Sequence, residues 1–157
     1  MTPRTLCCAA TLLLAMLASA PTGAQAPKPA APPKPKLEPI AETRLLMEGL
    51  AQPNLRGLEK LLKDRPAEVE AWTFARGQAL LLAETSNLLL LRPPHNTGET
   101  AWMQHAVELR DNATALARQL GQRDYNRSLT ALAATTSTCN RCHKTFRVPT
   151  RIGPDTE

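Results

Sequence analysis

Beyond about residue 39 the chain alternates between long segments whose apolar residues fall three and four apart and short breaks marked by proline and glycine. That period is the signature of helices burying one stripe each, and β-branched residues are few. A first helix is expected over about residues 39–51, with Ile40, Thr43, Met47 and Leu50 on its inward stripe. Pro53 bends or ends it, because proline has no N–H to donate and its ring crowds the preceding turn. The pattern resumes from Asn54 to Lys63 through Leu55, Leu58, Leu61 and Leu62, and Asp64-Arg65-Pro66 closes it. A second long helix is expected over about 67–91, striped by Trp72, Ala75, Ala79, Leu82, Ser86 and Leu89, before a loop of two prolines and Gly98. The third, about 99–120, places Trp102, Ala106, Leu109, Ala113, Leu116 and Leu120 together, with Gly121 at its C-cap. The fourth begins near Arg123 and carries Tyr125, Leu129, Leu132, Thr136, Cys139, His143 and Phe146. Four such helices with short connections predict an all-α fold, an antiparallel four-helix bundle, whose core is a natural place for a cofactor.

The chain before this region has a different character. Arg4, the apolar run Leu12 to Leu17 and small residues up to Ala24 read as an export signal over 1–24, too short in its apolar part to span a bilayer. Residues 25–38 form a proline-rich tether that cannot build a core. A four-helix domain is then expected over 39–148, with a loose tail over 149–157. Cys7 and Cys8 precede the apolar run and leave with the signal, so only Cys139 and Cys142 remain, too close together to staple distant parts of a fold. The formal net charge is +5. Its basic residues are interleaved with acids and aromatics are only 3%, which argues for solvated helix faces and against nucleic acid. No transmembrane segment is expected once the signal is removed.

Cys139-Asn140-Arg141-Cys142-His143 has the C-x-x-C-H form of covalent haem attachment. On a helix, residues three apart face nearly the same way, so both thiols can meet the vinyl groups of one porphyrin while the adjacent histidine turns to the iron. Cys139 and His143 share the stripe that the fourth helix is expected to turn inward. The alternatives are weaker: a thioredoxin-like site belongs beside a βαβ pattern, and a zinc site would need further ligands from His95 or His105. One haem c per chain, with His143 as the proximal iron ligand, is the expectation.

With its motif near the end of the last helix, the chain resembles the cytochrome c′ family, the four-helix class II c-type cytochromes. The resemblance covers about residues 37–147 and includes Lys144-Thr145-Phe146-Arg147 after the motif. It implies a periplasmic haem protein, often dimeric through its early helices, with the first helix against the distal haem face. Residues Lys144 to Glu157 contain no methionine, histidine or cysteine, so a sixth ligand is expected from upstream. Met47 is the candidate, with Leu46 or Leu50 as apolar caps over an open site if it does not bind. The family's first helix often has an arginine four residues before the distal position, whereas Arg44 precedes Met47 by three. Met103 and His105 are expected to pack or face solvent, and His95 to lie solvated in its loop. Trp72, Trp102 and Phe146 are candidates to pack on the porphyrin, and Arg141 and Arg147 to meet its propionates. The functional expectation is periplasmic electron transfer with redox partner proteins, the iron cycling between ferric and ferrous. The rival is a five-coordinate haem protein binding nitric oxide or carbon monoxide. No catalytic constellation is present, so an enzyme is not expected.

Overall fold

The computed structural model describes residues 34–95 and 98–153. The expected signal, most of the tether and the last four residues of the tail lie outside the described residues. The chain divides into the units Met1–Pro35 and Lys36–Glu157, and every described helix lies in the second. These are α1 (Thr43–Leu46), a π-helical turn (Met47–Ala51), α2 (Gln52–Lys63), α3 (Val69–Leu90), α4 (Glu99–Gly121) and α5 (Tyr125–Thr145), with no strand among the described residues.

The first three pieces run on as one helix through Pro53, which neither ends it nor starts a new one. The π turn explains why: the Gln52 N–H donates to the carbonyl of Met47, five residues back, and loosens the turn in front of the proline ring. The same extra residue shifts the phase of the inward stripe. Ile40 precedes the helix and is 91% exposed, Leu50 is exposed, and Leu46 is the residue this segment buries, at 4%. The expected stripe of Ile40, Thr43, Met47 and Leu50 is corrected accordingly, with Met47 half-buried beside Leu46.

The helices pack α2 on α3, α3 on α4, α4 on α5 and α5 on α2. The stripes expected for α3 and α4 are buried, except that Trp102 at the start of α4 is half-buried. In α5 the inward face is offset from the expected stripe and is largely polar: Ser128, Leu132, Thr135 and Thr138 are buried, while Leu129 is exposed. Burying a hydroxyl is tolerable where it has a partner, and the hydroxyls of Thr135 and Thr138 donate to the carbonyls of Ala131 and Ala134 at 2.9 and 3.2 Å. Helix stops also differ from the expected glycines. Gly121 lies inside α4, and Arg123 takes the left-handed conformation beyond it.

Two apolar clusters result. The larger joins Leu55, Leu58 and Leu62 of α2 to Trp72, Ala79 and Leu82 of α3, Leu116 and Leu120 of α4, and Leu132 of α5. The smaller contains Leu46, Leu89, Ala106 and Leu109, with Met47, Trp102 and Cys139 packed against it. No described helix is long and apolar enough to cross a membrane.

Candidate functional site

Cys139 and Cys142 are free, half-buried thiols in the last two turns of α5. They share the wall of a small cavity with Thr138 of the same helix, Leu89 of α3, and Trp102, His105, Ala106 and Leu109 of α4. Helix period brings this about, because positions 138, 139 and 142 cluster on one side of α5 and 102, 105, 106 and 109 on one side of α4. The cavity holds about 20 Å³, enough for a water molecule and far less than a porphyrin. Burial pushes the Cys139 thiol up from its ordinary 9.0 to about 11, reinforced by neighbouring Cys142, whose own thiol burial also raises. Both therefore remain S–H at neutral pH.

Aromatic rings close the cavity on one side. Trp102 donates its Nε1–H to the carbonyl of Leu89 at 2.8 Å, and Phe146 meets it edge-on with ring centres 5.2 Å apart. Gly98, just before α4, has φ +86°, and a Cβ there would approach the Phe146 ring to 3.2 Å. Glycine is thus favoured here by its backbone conformation, and a Cβ would also press on the ring. Trp72 belongs to the larger cluster instead, away from this wall.

His143 does not line the cavity, and its ring has a defined partner. Its Nδ1 lies 2.7 Å from the carbonyl oxygen of Thr150. A carbonyl only accepts, so Nδ1 carries the proton and the neutral ring keeps its lone pair on Nε2, the arrangement that metal-binding histidines commonly have. The end of α5 makes this contact. Arg147 adopts φ 56°, its N–H donates to the Lys144 carbonyl at 3.3 Å, and the Val148 N–H donates to the His143 carbonyl at 2.8 Å. The chain then doubles back along the helix. The expected loose tail is therefore corrected for residues 149–153, which are tied to α5 by Thr150 and Ile152.

Arg141 points to α4. Its guanidinium bonds Glu108, Ser137 and Thr138, and the Asn112 amide also donates to Thr138, so this spacer of the motif fastens α5 to α4. Arg147 is exposed and Arg141 is thus already engaged. His105 was legible in the sequence only as an off-stripe residue, yet it reaches the cavity wall. Its Nε2 lies 3.1 Å from the Thr145 hydroxyl, whose own proton goes to the Arg141 carbonyl, so Nε2 donates. Its Nδ1 is buried without a hydrogen bond, 3.9 Å from the Glu108 carboxylate. The missing signal was phase, because the cavity faces the flank of α4 and not the centre of its apolar stripe. Met103 is half-buried outside the cavity wall, and His95 is exposed.

The donor chemistry can be tested against the cofactors in view. Among the described residues no three His, Cys, Asp or Glu side chains converge to hold a metal ion, which leaves zinc without its ligand set. Two unpaired thiols three residues apart on one helix, an adjacent imidazole with a free Nε2 and an apolar wall do suit haem c. In size the packed cavity does not, so its walls must part to admit a porphyrin. Comparison with protein-family models, curated proteins and solved structures found no match to this chain.

Proposed function

We propose that this chain is an exported, periplasmic c-type cytochrome with one haem c, built as an antiparallel four-helix bundle and acting in electron transfer with redox partner proteins. The reading is carried by one observation: the two thiols of the C-x-x-C-H motif are free, adjacent and turned to the cavity wall, beside a histidine whose Nδ1 partner leaves Nε2 available. Haem iron, when bound, supplies a one-electron step between ferric and ferrous. Cys139 and Cys142 would hold the haem covalently, each as a thioether to one of its vinyl groups. His143 would supply its Nε2 lone pair to the iron. Leu89, Leu109 and Trp102 exclude water and lower the local dielectric. Lys144 and Arg147, both exposed beside the motif, offer positive charge to an acidic partner. The chain is read as a carrier, with no substrate transformed.

Met47 is proposed as the sixth ligand because its thioether packs in the same cluster as Cys139. A second reading has its own support. Leu46 is the more deeply buried neighbour, and an aliphatic cap there leaves a five-coordinate site for nitric oxide or carbon monoxide. An optical spectrum of Met47→Ala decides between them. Conversion of a low-spin ferric spectrum to high-spin is expected; a spectrum already high-spin in the unaltered protein, with immediate carbon monoxide binding, selects the Leu46-capped site instead.

A further inference from the structure

The residues between the two cysteines of such a motif need only provide spacing, but Asn140 does more. Its side-chain Nδ2 donates to the carbonyl of Ile152 at 2.7 Å, and the Ile152 N–H donates to its Oδ1 at 2.8 Å. One carboxamide thus satisfies both backbone groups of a residue twelve positions away. Of the short side chains only asparagine presents a donor and an acceptor side by side on so short a stem. Aspartate lacks the donor, and glutamine adds a methylene. Ile152 in turn packs its side chain against the larger apolar cluster, so the returning segment is held by polar and apolar contacts together.

Between this clamp and the end of α5 lies Thr150, whose carbonyl accepts from His143 Nδ1 at 2.7 Å. The carbonyl has no covalent reason to be there. It is held from one side by the left-handed turn at Arg147 and from the other by Ile152.

We propose that Asn140 is a positioning residue: by pinning Ile152 it holds the Thr150 carbonyl on His143 Nδ1, fixing the histidine tautomer and raising the electron-donating strength of Nε2. Its effect on iron rests on the haem reading above, while its effect on the histidine does not. A carbonyl drawing on Nδ1–H gives the ring partial imidazolate character, which favours ferric over ferrous iron. Release of the clamp leaves Nδ1 to water and weakens that preference.

The test compares the unaltered full chain with Asn140→Ala, with a chain ending at Pro149 and with both changes combined. In the haem-loaded proteins, redox titration is expected to show each change shifting the ferrous to ferric ratio at fixed potential about tenfold toward ferrous, or ~59 mV for one electron. The combined variant should shift no further than the truncation alone, because both changes remove one contact. In the haem-free proteins, nitrogen NMR of labelled histidine should find His143 as the Nδ1–H tautomer in the unaltered chain and as a mixture in every variant. An unchanged potential in both single variants, shifts that add in the combined one, or a His143 tautomer unaffected by either change would overturn the assignment. Should no haem attach to the full chain, the electron-transfer reading fails by itself and the NMR comparison still decides the role of Asn140.

Discussion

The two thiols differ in setting even though three residues separate them. Cys139 packs against the smaller apolar cluster, and its folded pKa of about 11 exceeds the ordinary 9.0. In the haem-free chain the folded state thus holds this proton more tightly than the unfolded state does. The associated stability is complete below pH 9.0 and is lost as pH rises toward about 11. Roughly 2 kcal/mol of pH-dependent stability is expected over that window, read as the part of the fall in urea midpoint of the haem-free chain that Cys139→Ala removes, the remainder including that of Cys142. An identical fall in both proteins would assign it to other groups. Cys139, Cys142 and His143 were legible as a spaced pattern, and the two thiols do share one cavity wall. What Asn140, Arg141 and His105 do was not, because each acts through a partner 12, 33 or 40 positions away that no local pattern encodes.

At the level of elements, legibility followed how apolar each inward face is. In α3 and α4 the stripes are Leu- and Ala-rich, so period alone identified what is buried. In α5 the buried positions besides Leu132 are Ser128, Thr135 and Thr138, which look like surface residues; the hydroxyls of Thr135 and Thr138 return to the helix backbone, while that of Ser128 is buried without a hydrogen-bond partner. The π turn ahead of Pro53 displaced the first stripe because one wider turn rotates everything before it, and a hydropathy pattern assumes a constant period. The end of α5 offers a test at this scale. Arg147 holds φ 56° without glycine's freedom, a conformation that costs an L-residue about 1 kcal/mol. Arg147→Gly should keep the turn and raise the unfolding free energy by up to about 1 kcal/mol in urea titration. A loss of stability would mean that the arginine side chain contributes more than the turn costs.

In the whole molecule, the larger cluster ties all four helices, whereas the smaller one gathers the α1 end, α3, α4 and the last turns of α5 around the motif. The division suits a protein whose stability resides in one part of the core while another accepts a cofactor. All-helical packing was legible because the long periodic segments leave little room for another fold class. The return of residues 149–153 along α5 was not, since a short polar segment with Pro149 and Gly153 reads as a tail until Asn140 and His143 are found holding it. The central claim is that Cys139 and Cys142 bind a haem covalently. The direct measurement is the intact mass of the full chain expressed in an exporting host with a cytochrome c maturation system, set beside Cys139→Ser and Cys142→Ser together. The account predicts that the processed protein carries the added mass of one haem under denaturing conditions and that the double variant carries none. A processed, folded protein bearing two free thiols and no added mass would contradict it.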